Sequence, residues 1–176
     1  MSHRDGLPPL HLQLAGPAAR PDGHPDHAFV LEALAIGEYP TPEDADWLRG
    51  ARAFTAVVNL QDDIDLDRKG LSLRALENAY RRHGLRFIHI PVPDGDGDAL
   101  RARLDEAVRV VAELIDGGGR VYLHCNAGLN RAPTVAIAYL HVQEGLPLAV
   151  ARDDVKARRH CVHYMRALEA RYGPPR

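Results

Sequence analysis

Two periods of apolar residues alternate along this chain. From Ala99 to Ile115 the apolar positions are Leu100, Leu104, Ala107, Val108, Val111, Leu114 and Ile115. Steps of three and four set them on one stripe of a helix. Gly117-Gly118-Gly119 stops that pattern, and Arg120 to His124 then reads as a strand. Phe54 to Leu60 (Phe-Thr-Ala-Val-Val-Asn-Leu) reads as a buried strand. Ala28 to Ile36 and Leu85 to Pro91 are two more candidate strands. Helices are expected from Thr41 to Leu48, from Leu71 to His83 with Gly84 as the stop, and near residues 131–144, 148–159 and 163–171. Thr41 suits an N-cap and Pro42 the first helical position, where no N–H is needed. Gln61 to Gly70 reads as an acidic loop. Val92 to Asp98 reads as a loop of alternating Gly and Asp.

Strands that alternate with helices predict an α/β fold, a central mostly parallel sheet flanked by helices. Residues 1 to about 26 are rich in Pro, Gly, His and Asp without an apolar period. They are expected to form a flexible or wrapping N-terminal arm, with residues 27–176 as one domain. A length of 176 residues and an apolar share of 45% suffice for one sizeable core.

Charge narrows the partners. Lys and Arg total 22 against 24 Asp and Glu, a net charge of −2. No global basic field favours nucleic acid, so any pull on an anion must be local. No apolar run reaches the ~18–20 residues of a membrane span, and no signal-peptide core is evident. Neither a nucleic-acid nor a membrane partner is expected, and the chain reads as a monomer. The two cysteines, Cys125 and Cys161, do not make a disulfide framework. The expected compartment is therefore reducing, the cytoplasm.

The chemistry concentrates in His124-Cys125-Asn126-Ala127-Gly128-Leu129-Asn130-Arg131-Ala132-Pro133. Five residues separate a cysteine from an arginine, after a strand and before a helix. A loop that tightens into a helix N-terminus turns several backbone N–H groups toward one point, where the helix dipole adds positive potential. Gly128 allows a backbone course that a Cβ would forbid. Arg131 offers a planar fork for two oxygens of a phosphate. Helix N-termini and nearby cations bring cysteines into the thiolate form that attacks as a nucleophile. The expected site is thus a phosphate cradle made of Asn126, Ala127, Gly128, Leu129, Asn130 and Arg131, with Cys125 as nucleophile. His124 either packs in the core at the strand end or orients the loop through hydrogen bonds.

Cleaving a phosphate ester also requires a proton donor for the departing oxygen. The loop Pro91-Val92-Pro93-Asp94-Gly95-Asp96-Gly97-Asp98 follows a strand expected to neighbour the 120–124 strand. Asp94, nearest the strand end, is the favoured acid, and Asp96 the alternative. The three aspartates lack the far glutamate of a calcium loop. His160-Cys161-x-His163 lacks enough partners for a metal. No metal and no cofactor are expected. Lys156, Arg158 and Arg159 could form a basic rim, Tyr39 and Tyr164 read as core or rim packing with stacking on a substrate ring as the alternative, and Trp47, Phe54 and Phe87 read as core.

Asn59-Leu60-Gln61-Asp62-Asp63, Cys125-Asn126-Ala127-Gly128-Leu129 and Arg131-Ala132-Pro133 resemble the dual-specificity branch of the protein tyrosine phosphatase superfamily. Within it they are most similar to the glucan phosphatases, the plant starch phosphatases and laforin. The resemblance runs from about Ala35 to Ala170. It implies hydrolysis of phosphomonoesters through a phosphocysteine, with Cys125, Arg131 and Asp94 in the catalytic roles and His124 orienting the loop through hydrogen bonds. The substrate would be a phosphorylated protein, a glucan or a small phosphate ester. Asn130 stands where glucan phosphatases usually have Gly, and the Asp94 loop lacks the aromatic of the plant enzymes. A phosphate-binding module without catalysis and a rhodanese-like sulfurtransferase are the alternatives.

Overall fold

The computed structural model describes residues 23–174, so residues 1–22 of the expected arm lie outside the described residues. Five strands form one sheet: β1 (His27–Leu31), β2 (Leu34–Gly37), β3 (Ala56–Asn59), β4 (Arg86–His89) and β5 (Val121–His124). Their order is β1-β2-β5-β3-β4. β1 runs antiparallel to β2, and the other neighbours are parallel. The architecture is therefore the expected α/β sheet flanked by helices.

Alternation along the strands builds two cores. Leu34 and Ile36, Ala56 and Val58, and Val121 and Leu123 face one side. There they meet α3 (Gly97–Asp116), α4 (Arg131–Val142), α5 (Leu148–Arg158) and α6 (Met165–Tyr172). Ala35, Val57 and Tyr122 face the other side and meet Leu48, Phe54, and Leu76 and Tyr80 of α2 (Leu73–Arg82). A period of two on each strand sends successive residues to opposite faces. The α3 stripe read from the sequence is buried at Leu100, Leu104, Ala107, Val108, Val111 and Leu114. α4 buries ten consecutive residues, Arg131 to Leu140, and so lies at the centre of its layer.

Four sequence expectations need correction. Ala28–Ile36 is a tight hairpin of two strands, with Leu31 opposite Leu34. The Thr41–Leu48 helix is present but irregular: a 3-10 turn at Pro42–Asp44 runs through Ala45 and Asp46 into a wide π turn at Trp47–Ala51, three residues beyond the expected end. The Asp44 carboxylate accepts bonds from both the amide and the hydroxyl of Thr41, which caps the start of that helix. The acidic segment is not all loop. Asp63–Arg68 forms α1, with Asp62 as its N-cap accepting from the Asp65 amide. Finally, β4 does not touch β5; β3 lies between them. β4 has an exposed residue and three half-buried ones, whereas β3 and β5 are buried throughout, so β4 takes the edge.

Parallel pairing nonetheless aligns the strand ends. Gly37 and Asn59 both pair with His124, and Asn59 pairs with His89. The segments after β2, β3, β4 and β5 therefore leave from one edge of the sheet, where open α/β sheets bind ligands.

Candidate active site

The segment Cys125–Asn130 leaves β5 and enters α4. Every carbonyl in it is held from outside. His124 Nδ1 lies 3.0 Å from the Cys125 carbonyl, which can only accept, so that nitrogen carries the proton. The Tyr39 amide donates to the Asn126 carbonyl at 2.9 Å, and the Val162 amide to the Leu129 carbonyl at 2.8 Å. Arg159 donates from Nη2 to the Ala127 carbonyl at 3.0 Å and from Nε to the Gly128 carbonyl at 2.9 Å. The Thr134 amide and hydroxyl both donate to the Asn130 carbonyl.

A trans peptide points its N–H opposite to its C=O. Six carbonyls fixed outward therefore turn the amides of Asn126 to Arg131 to the other side, the hollow side of the loop. Among the described residues, none of the amides from Asn126 to Asn130 donates to a protein acceptor. Such a row of free N–H groups at a helix start is an anion cradle.

Gly128 is required in this path. Its φ is +67°, and a Cβ there would lie 2.5 Å from the carbonyl carbon of Gly37 on β2.

Arg131 is 1% exposed and divides its guanidinium between two tasks. Nη1 is the anchoring corner. It donates to Asp65 Oδ2 at 2.6 Å, to the Val92 carbonyl at 2.7 Å and to the Leu60 carbonyl at 3.3 Å. The Nε–Nη2 edge makes no hydrogen bond to the protein among the described residues; its charged neighbour is Asp94 Oδ1, 3.5 Å from Nε. Burial works against the cation, but Cys125, Asp65 and Asp94 together hold its pKa above the ordinary arginine value. One edge is thus structural, and the other is a fork open to two oxygens.

Asp65 is a site residue that the sequence reading missed. Its Oδ1 accepts from Asn126 Nδ2 at 2.6 Å, while Oδ2 takes Arg131. Burial alone would raise its pKa; Arg131, aided by Asn126, overrides that and holds the carboxyl below its ordinary value. Gln61 extends the network, donating from Nε2 to Asn126 Oδ1 at 2.8 Å. The available signal was the Asp62-x-x-Asp65 capping spacing, which marks a helix start inside the acidic run.

The two candidate acids separate. Asp94 is half exposed, at 54%, and lies against Arg131. Asp96 caps α3, its Oδ1 accepting the Ala99 amide at 2.8 Å. The Asp94 loop is tied down by the Gly95 amide, which donates to the Tyr164 hydroxyl at 3.0 Å. Burial pushes the Tyr164 phenol up, so it stays a neutral hydroxyl. Tyr164 therefore holds the loop through this bond. Tyr39 is buried. Arg159, expected on a basic rim, is instead buried beneath the cradle; Lys156 and Arg158 stay exposed. Of the three aromatics read as core, Phe54 is buried, while Trp47 and Phe87 are half-buried. Cys161 is buried and reduced, its thiol pushed up by burial. A cleft of about 990 Å³ opens beside Asp94, between its loop and residues 163–167, with Arg101 and Arg166 on its walls.

An α/β sheet whose strand ends carry a cysteine, a ring of free amides and a buried arginine defines a cysteine-loop phosphatase domain. Residues 39–169 match the family model described as "Dual specificity phosphatase, catalytic domain", and the chain belongs to that family. It is 31% identical over 148 residues to "Phosphoglucan phosphatase DSP4, amyloplastic" of Castanea sativa, covering 82% of this chain and 39% of that protein. It is 39% identical over 130 residues to "Dual specificity protein phosphatase 2" of Mus musculus, covering 74% and 36%. "Laforin" of Mus musculus is 28% identical over 125 residues, covering 66% and 38%. Among solved structures, "Tk-PTP in the active form" is similar with a TM-score of 0.71 and 30% identity, covering 82% of this chain and 95% of that one. The chain spans only 23% to 39% of the length of the first curated relatives it matches.

Proposed function

We propose that this chain hydrolyses phosphate monoesters carried by protein or glucan, through a phosphocysteine at Cys125. The observation that carries this reading is the set of outward-held carbonyls between Cys125 and Arg131, which leaves inward amides without protein acceptors beside a guanidinium edge that faces Asp94. A tetrahedral dianion fits that set of donors, and charge spread over its equatorial oxygens in a loose transition state is where they act. Cys125 Sγ attacks phosphorus in line and the bond to the ester oxygen breaks. Asp94, protonated, gives its proton to that departing oxygen. Water then attacks the phosphocysteine, Asp94 takes a proton back, and the thiolate leaves with inorganic phosphate as product. A phosphate oxygen at Arg131 Nε takes the position that Asp94 Oδ1 neighbours, which frees the acid for the leaving group.

The open cleft next to Asp94 supports leaving groups larger than a single ring, such as a peptide or a sugar chain. A thiolate nucleophile suits a reducing compartment, which supports a cytoplasmic location.

The test is steady-state hydrolysis of an aryl phosphate, an alkyl phosphate, a phosphoserine peptide and a phosphoglucan. Cys125→Ser is expected to abolish turnover of all four. Asp94→Asn is expected to slow the alkyl ester by roughly a hundredfold or more, and the aryl ester less, because a good leaving group needs less proton donation. Turnover by Cys125→Ser at the wild-type rate would sink the proposal.

A further inference from the structure

Through Arg159 the cradle rests on Asp26, a residue outside the matched family region 39–169. Arg159 follows α5 and is 1% exposed. Two of its nitrogens hold the Ala127 and Gly128 carbonyls, the two central peptides of the cradle. The third, Nη1, donates to Asp26 Oδ2 at 2.8 Å. A guanidinium is planar and rigid, so fixing one corner fixes the aim of the other two. Among the described residues Asp26 is the carboxylate paired with this buried cation. Asp26 is itself pinned from both sides. Its amide donates to Glu38 Oε2, and its carbonyl accepts from the Glu38 amide. The next amide, Tyr39, holds the Asn126 carbonyl. A single tie between residues 26 and 38 therefore braces three of the six outward carbonyls.

We propose that Asp26 is a positioning residue for phosphate binding. Through Arg159 it turns the amides of Gly128 and Leu129 toward the hollow, and its loss lets those two peptide planes rotate. The proposal rests on the phosphatase reading, since the cradle must bind a phosphate for its donors to matter.

The experiment compares the full chain with D26A and D26N, all shown folded by circular dichroism. It measures the inhibition constant of inorganic phosphate and the kinetics on an aryl phosphate. D26A is expected to weaken phosphate inhibition and raise KM roughly fivefold, the scale of couplings carried by residues that do not touch the ligand. D26N keeps an acceptor oxygen without the charge and is expected to fall between. Coupling is reciprocal, so saturating phosphate is expected to slow hydrogen exchange at the Asp26 amide in the wild type. A purely structural contact would not give that response. Folded D26A with an inhibition constant within about twofold of wild type, or exchange at residue 26 indifferent to phosphate, overturns the proposal. A wild type that binds no phosphate overturns the phosphatase reading and this inference together, whereas a wild type that binds and turns over while D26A matches it overturns only this inference.

Discussion

Replacing Asp65 by Asn tests the electrostatic frame under the cradle. Asp65 is acceptor-only, and both its oxygens are in use, one by Arg131 Nη1 and one by Asn126 Nδ2, each at 2.6 Å. An asparagine must turn its NH₂ toward one of these donors, so one contact becomes donor against donor. The side chains of Arg131 and Asp65 are 1% and 5% exposed, so the cation loses its charge partner out of reach of water. Breaking a buried pair from one side costs about 3–5 kcal/mol. The carbonyls of Leu60 and Val92 still hold Nη1, which favours the lower end, about 3 kcal/mol. For a domain of this size that is a fall in Tm of roughly 6–12 °C. Urea unfolding of wild type and Asp65→Asn near neutral pH measures the difference directly. The pH dependence gives a sharper check. The folded pKa of Asp65 is depressed, so its contribution is full above the unfolded value of about 3.9 and is lost as pH falls through the folded one. The two stability curves should therefore converge below that range. A gap under about 1 kcal/mol at neutral pH, or one that persists undiminished in strong acid, would refute the reasoning. Activity should drop by about a hundredfold, the scale of a 1 Å misplacement of a catalytic group.

Two further outcomes follow from the backbone and the acid loop. Gly128→Ala must place a Cβ against the Gly37 backbone at a φ of +67°, so phosphate inhibition should vanish and expression should fall, and an active, phosphate-binding Gly128→Ala would contradict the packing described. Tyr164→Phe removes the acceptor of the Gly95 amide, worth about 1 kcal/mol, so kcat for an alkyl phosphate should fall severalfold with KM for the aryl ester unchanged; equal losses on both esters would assign Tyr164 a role in binding instead.

The pair Cys125 and Arg131 was legible because its meaning is local: a strand, a short turn and a helix start fix where the two side chains go. The α3 stripe was legible for the same reason, as its period lies within one element. Asp65 was not, because its partner Arg131 lies 66 residues away and only the sheet brings them together. The helix that carries Asp65 was hidden by composition. α1 has six residues, three of them Asp, and buries Leu66 and Asp65, so capping and tertiary packing set it rather than an apolar period. Arg159 read as a surface cation because helix ends attract cations. Its partner Asp26 lies 133 residues away, and its other partners are carbonyls, which sequence does not mark. The place of β4 at the sheet edge was equally non-local, since its immediate pattern fits either position beside β3.

The ring of outward carbonyls has a consequence for discrimination. A receptor made of main-chain amides measures the shape and charge of an oxyanion and ignores the alcohol attached to it. Vanadate, arsenate, sulfate and the reaction's own product present the same face to it. Affinity gained there would be shared by ester and product alike, so on the proposed function inorganic phosphate is expected to compete with every ester, and selection among esters is expected to rest on the ground beyond Asp94.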